Sequence, residues 1–325
     1  MIKMIPNDDK ISSIQVGVFV YNIILGIGIL TFPATLVKDT ESDAWVVCIV
    51  AGLINLIFVY LMCKVGEKYS EYGFVGTLKF LFGKFLGTIL ALPVLAYFIV
   101  FTGIEIRLFG ETTKVFLLNE TPLEFIIFPL LILTLFLTRS GIEPTARFFE
   151  AVTPIVIFIA IILVLVALPN SDFSNIRPFF NHPPEAYIRT FHSAMFAFAG
   201  FEILLVLFPF IRKPKKAFKA SAIAIFSITL FYTIIIIENL ARFGVKETSA
   251  LIYPTMTLIK ASEVPGAFIE RIEGLLMALW VLFVFTTVAG LAYAYSVIGG
   301  DLLKHKKRKH IISMSLPIVY IIALI

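Results

Sequence analysis

Charge is scarce in this sequence. Its 325 residues hold 27 Lys and Arg and 22 Asp and Glu, 15% in all, where soluble domains carry about 25%. Water-soluble α/β enzymes, disordered tails and nucleic-acid-binding domains do not have this composition. Cysteine is nearly absent: Cys48 and Cys63 lie in or beside one apolar segment and make no disulfide framework. The four histidines are too dispersed in sequence to form a metal cluster. The chain lacks a nucleophile elbow, a phosphate loop with its lysine and an HExxH helix, so nothing argues for an enzyme or a resident cofactor. No small-residue cleavage pattern follows Asp8, Asp9 and Lys10, and the first apolar run is expected to be retained.

What is present is apolar mass, 59% hydrophobic with 33 phenylalanines and a mean hydropathy of +0.96. It is gathered into runs near the roughly 20 residues that span a bilayer. The runs place nine spans at 14–36, 44–63, 85–109, 122–138, 144–168, 190–210, 217–241, 272–297 and 311–325. The stretch 66–83 mixes charges with Tyr69, Tyr72, Phe74 and Phe80, which suits a helix lying on the membrane surface. Residues 170–189 read as a polar, Pro-rich loop, and 244–271 as a short helix with turns. With the N-terminus inside, inner connections carry 18 basic residues and outer ones 8, as the positive-inside rule requires. The net charge of +5 therefore sets orientation and does not mark a nucleic-acid surface. The chain reads as one all-α, polytopic membrane domain.

Two spans look interrupted. In span one, Leu25-Gly26-Ile27-Gly28-Ile29-Leu30-Thr31-Phe32-Pro33 combines permissive glycines with a proline that frees a carbonyl one turn earlier. A break within lipid is costly unless it lines a cavity; there, freed amides hold carboxylates and freed carbonyls hold ammonium or cations. The competing reading is a small-residue helix contact. In span six, Phe198-Ala199-Gly200-Phe201-Glu202 sets a glycine beside an intramembrane acid. Glu202 could meet a ligand, carry a proton or cap freed amides. The two spans run in opposite directions with their glycines at similar depth, the pattern of inverted repeats with substrate between the breaks.

Other candidates are less sharp. Tyr97, Phe101 and Glu105 share one face of span three, where the rings could close over a ligand. Arg107 with Glu111, and Glu238 with Arg242, are i,i+4 pairs near outer helix ends; with Glu105 they are read as gating or structural charges, or as simple snorkelling. Thr286 and Thr287 offer hydroxyls that more often satisfy their own helix. His192 reads as a structural histidine.

The ordered pieces resemble the spore germination permease family, the B subunits of nutrient germinant receptors, within the amino acid–polyamine–organocation superfamily. They are Lys10-Ile11-Ser12 before Gln15, the GIGILTFP stretch, Asp43-Ala44-Trp45, Gly83 to Gly87, Arg107 to Glu111, Thr121-Pro122-Leu123, Gly141-Ile142-Glu143 with Ala146 to Glu150, Phe201-Glu202 with Pro209-Phe210, and Phe268 to Arg271 leading to Trp280. The resemblance implies a five-plus-five inverted-repeat transporter fold, with a first repeat at about 14–168 and a second at about 190–325. It implies ten spans, so the tenth is expected to be missing from a sequence that stops at the ninth. It implies a spore inner-membrane receptor that works beside an A subunit and a C lipoprotein. A nutrient ligand, an amino acid foremost, would trigger germination; the alternative is a secondary amino-acid transporter coupled to protons or sodium. By the superfamily pattern, Gly26 and Gly28 match the first unwound segment, and Ala199 and Gly200 the second.

Overall fold

The structure is a computed structural model that describes residues 9–26, 28–168, 171–261, 272–303 and 308–325. Within them the chain is all-α. Its one β feature is an isolated parallel bridge between Ile11 and Ile211. Helices α1 (Ser13–Leu25) and α2 (Gly28–Thr40) fill the first expected span, and α3 (Ala44–Tyr69) the second. Helix α4 (Gly73–Phe116) covers both the surface stretch and the third span. It turns at Gly83, whose φ of +80° is open to glycine but strained for other residues. Helices α5 (Leu123–Ser140) and α6 (Ile142–Ala167) follow.

The sixth span is α7 (Pro184–Ala197), a turn, a 3-10 segment, short α8 (Leu204–Leu207) and a second 3-10 segment. Helix α9 (Ala217–Ala250) kinks at Gly244 and leads to α10 (Pro254–Ala261). Helices α11 (Ile272–Leu302) and α12 (Arg308–Leu324) complete the fold.

The helices lie where the apolar runs put them, but the expected count of nine spans is not met. Among the described residues, six helices are long and apolar enough to cross a membrane, or seven if the bent pair Pro184–Ala197 and Phe201–Phe210 is one span. Length is the reason. The apolar helices Ser13–Leu25 and His310–Leu324 are too short for a full crossing. At 1.5 Å per residue, a helix of 13 residues reaches about 20 Å against a hydrocarbon core of about 30 Å. In the first span the break itself divides the length.

Burial is uneven in the way a lipid solvent dictates. The apolar window of α11 is 83% buried, that of α4 only 28%. Helix α11 packs along α4, α1 and α5, and α1 and α3 pack on α9. Phe85, Phe125, Phe136 and Phe158 point outward. On a soluble protein so many exposed rings would be a liability; in a membrane they face acyl chains.

Spans one and six are tied together at both ends. At one end the chain before α1 docks on the end of span six. Ile11 N–H donates to Phe210 O at 2.8 Å, Arg212 N–H to Ile11 O at 3.0 Å, and Lys10 Nζ to Pro209 O at 2.8 Å. Ser12 then starts α1 with a capping box, its hydroxyl accepting from Gln15 N–H while Gln15 Oε1 accepts from Ser12 N–H. At the other end Asp43, between α2 and α3, accepts from Tyr187 Oη at 2.7 Å and Phe180 N–H at 2.9 Å, and faces His182 Nδ1 at 3.2 Å. Burial alone would raise the Asp43 carboxyl, but these three partners together outweigh it and hold it below the ordinary carboxylate range.

Candidate functional site

Helix α1 ends at Leu25, so its last carbonyls have no following turn to accept from. The fold answers two of them with side chains. Thr287 Oγ1 donates to Asn22 O at 2.7 Å, and Tyr232 Oη to Ile24 O at 3.0 Å. Pro33 has no N–H, which orphans Ile29 O one turn earlier. That oxygen accepts from Thr255 Oγ1 at 2.7 Å. Beneath the break, the Asn22 side chain donates to Val18 O and to Thr153 Oγ1 and accepts from Thr286 Oγ1 at 3.1 Å. A carboxylate joins this group: a Cβ on Gly26 would lie 2.9 Å from Glu105 Oε2.

The second break is built differently. Helix α7 ends at Ala197, and Gly200 takes a φ of +113°. Its N–H donates to Glu202 Oε2 at 2.6 Å. A Cβ on Gly200 would meet Ile23 Cγ2 at 2.5 Å, so the breaks touch. Tyr232 stands between them, with ring contacts to Phe32 at 5.0 Å and Phe198 at 5.6 Å.

Beside the two breaks lies a cavity of about 410 Å³, a size usual for small-ligand sites. The end of α1 contributes Ile23 and Ile24, and the start of α2 contributes Gly28, Thr31, Phe32 and Thr35. Helix α4 supplies Phe101, Ile104, Glu105 and Leu108. His192, Ser193, Phe196, Ala197 and Ala199 close it from span six.

The sequence candidates divide around this cavity. Gly28, Phe101, Ala199 and Glu105 line it. Gly26 caps α1 at the break, and Ile27 falls outside the described residues. Tyr97 packs its ring against Phe98 and Phe101 at 5.2 and 5.6 Å, and Phe198 is fully buried behind the wall. Gly200, Glu202 and Thr286 hold the breaks without lining the cavity. Arg107 pairs with Glu111 at 2.6 Å and donates to Leu324 O at 3.1 Å, which joins α4 to α12. Glu238 is buried in α9, away from the cavity. Sequence reasoning missed Asn22, Thr153, Tyr232 and Thr255, and set His192 aside. A polar residue at mid-span, such as Asn22, was the available signal, because intramembrane polar groups are expensive. Among the described residues no group of three His, Cys, Asp or Glu could hold a metal ion.

The geometry has counterparts. The spore permease family, described as "Spore germination protein", matches residues 10–325. The spore germination protein YndE of Bacillus subtilis is 29% identical over 321 residues, 98% of this chain and 88% of that protein. Among solved structures, a Na+-coupled sialic acid symporter in a substrate-bound outward-open state superposes with a TM-score of 0.73 at 13% identity. That match covers 96% of this chain and 72% of the symporter. MhsT in complex with L-phenylalanine gives a TM-score of 0.68 at 14% identity, over 95% of this chain and 78% of that one. At such identities the likeness is one of fold, and the fold is that of a transporter.

Proposed function

This chain belongs to the spore germination permease family, and from that premise we propose that it binds a small amino acid in the cavity beside the two breaks and carries it by ion-coupled secondary transport. The observation that carries the reading is the meeting of a broken span one and a broken span six at one cavity. Intramembrane backbone breaks are tolerated where they line a protein or water cavity, and discontinuous helices at mid-membrane are where transporters bind substrate. The fold likeness to a symporter and to an amino-acid-bound protein supports it. The coupling ion is a proton or sodium. The reading takes 14–168 and 190–325 as inverted repeats, with Gly28, Phe101 and Ala199 on the ligand cavity and Gly26, Tyr97, Phe198, Gly200, Glu202 and Thr286 supporting it from the two breaks and the wall behind. It puts the N-terminus inside a spore inner membrane, beside an A subunit and a C lipoprotein.

A second reading, a sensor that binds nutrient without carrying it, draws on the germination names of the relatives. Uptake of radiolabelled amino acids into proteoliposomes, driven by a proton or sodium gradient, separates the two. Gradient-dependent uptake abolished by Gly28→Leu, which puts a side chain into the cavity, is the expected result. Saturable binding with no flux assigns the sensor role, and neither binding nor flux removes both readings.

A further inference from the structure

Away from the cavity, α3 and α9 meet along one seam. Gly52 leaves no room for a Cβ against Thr229, and Thr233 Oγ1 lies 3.7 Å from Cys48 Sγ. Toward the end that the basic residues put inside, Tyr60 and Phe218 close the seam with ring centroids 5.3 Å apart. Each helix also shows an exposed apolar row at helical spacing, Leu53 and Ile57 on α3, and Ile223, Phe226 and Leu230 on α9. Each row ends in an exposed lysine, Lys64 on α3 and Lys219 on α9. Leu53 stands eleven residues from Lys64, and Leu230 eleven from Lys219. At 1.5 Å per residue each row is about 16 Å long, half of a hydrocarbon core of about 30 Å and so the depth of one leaflet.

Positive charge gathers at the foot of the seam. The 3-10 segment Pro214–Lys216 packs against α3 and leads directly into α9. It brings Lys215 and Lys216 to the same end as Lys64 and Lys219. All four side chains are exposed, and among the described residues none of them forms an ion pair. Arg107 and Arg147, by contrast, are paired with Glu111 and Glu143. Glu67, half-buried between Lys64 and Lys68, offsets one of the four. Lys64 Nζ sits 5.5 Å from the centroid of the Tyr60 ring, a cation–π contact that keeps this charge at the seam. Orientation by the positive-inside rule needs basic residues at this end of the membrane. It does not need two segments far apart in sequence to bring them to one groove.

We infer that this seam binds an anionic phospholipid, with Lys64, Lys215, Lys216 and Lys219 around its phosphate and its acyl chains along the two apolar rows. Basic pockets between membrane helices are where anionic headgroups are recognised. The rows favour a lipid over an acidic protein segment, because they lie at acyl-chain depth, where a water-soluble partner does not reach. The site is independent of the cavity but not remote from its support. Helix α9 carries Tyr232, whose hydroxyl answers Ile24 O at the first break, and a lipid bridging α3 and α9 braces that helix.

Native mass spectrometry of the purified full chain in detergent tests it, by titration with dioleoylphosphatidylglycerol and, separately, with dioleoylphosphatidylcholine. The expected result is phosphatidylglycerol bound at least fivefold more tightly than phosphatidylcholine. Glycerophosphoglycerol, the same headgroup without chains, should bind at least tenfold more weakly than the intact lipid. The triple variant Lys64→Gln, Lys215→Gln, Lys219→Gln should lose at least fivefold in phosphatidylglycerol affinity with its thermal unfolding temperature in phosphatidylcholine retained. The control Lys79→Gln, Lys84→Gln, at the same membrane end, should change less than twofold. Where the triple variant does not fold, Lys215→Gln and Lys219→Gln singly should each lose at least twofold. Equal affinity for the two lipids, or losses in the control as large as in the triple variant, overturns the inference and leaves only the general attraction of a basic membrane face. A headgroup that binds as tightly without its chains reduces the seam to an anion site, and poly-L-glutamate binding more tightly than the lipid assigns it to an acidic protein; either result overturns the inference too.

Discussion

The first break is held from far away and the second holds itself. Around Gly26 the stabilising groups come from the other half of the chain. Tyr232 reaches Ile24 O across 208 residues, Thr255 reaches Ile29 O across 226, and Thr287 reaches Asn22 O across 265. At Gly200 the partner is Glu202, two residues on. The first break therefore depends on α9, α10 and α11 packed against it, while the second is closed chiefly by its own turn, with Tyr232 Oη reaching Ala197 O only at 3.5 Å.

The largest effect that separates the two is at the glycines. Alanine at Gly200 must adopt a left-handed backbone, at about 1–2 kcal/mol. It also presses on Ile23 Cγ2 at 2.5 Å, an overpacking of about 1–3 kcal/mol. Gly26 has a φ of −21°, outside the left-handed region, and a Cβ there meets the end of Glu105 at 2.9 Å and the Thr287 side chain at 3.0 and 3.1 Å, looser than the 2.5 Å at Gly200. Gly200→Ala should lower the thermal unfolding temperature clearly more than Gly26→Ala. Equal shifts would mean that the second break is no more rigid than the first.

Next in size are the hydroxyls. Tyr232→Phe and Thr287→Val each leave a buried carbonyl at the first break without its donor, at about 1–3 kcal/mol. Glu202→Gln keeps an oxygen for Gly200 N–H and loses only the charge, so a cost below about 1 kcal/mol is expected. Thermal unfolding of the three variants in detergent orders them. A Glu202→Gln protein as unstable as Tyr232→Phe would erase the contrast between distant and local support.

The same contrast explains what could be read from the sequence. Gly200 and Glu202 are neighbours, so the turn and its acid were visible together. Gly26, Gly28 and Pro33 announced a break, and Pro33 even named the carbonyl it would free. The residue that answers that carbonyl, Thr255, lies in a stretch read only as a short helix with turns, and no local pattern links the two. Glu105 was legible as an acid on one face of span three, but its place against Gly26 is a product of packing. The count of spans failed for a related reason. Hydropathy measures apolar length along the chain, and an interruption by two glycines changes the helix without changing the composition.

The smallest expected effect concerns the far end of span six. Its break is local, but its entry is bound to the tail of span one through Asp43, Tyr187, His182 and Phe180 N–H, with Glu41 facing His182 at 3.3 Å. The Asp43 carboxyl is held below the ordinary carboxylate range. A group lowered in the folded state stabilises fully above its unfolded value, about 3.9 for Asp, and ceases to do so as pH falls through the lowered value. Hydrogen exchange of the Phe180 amide, which donates to Asp43, should therefore be slow at neutral pH and quicken only in acid, after correction for the intrinsic rate, while Gly200 and its neighbours stay protected. Asp43→Asn should show the quickened exchange already at neutral pH, with little further change in acid. Loss of protection at Gly200 in the same variant would show that the second break depends on distant support after all, and the difference between the two broken spans would collapse.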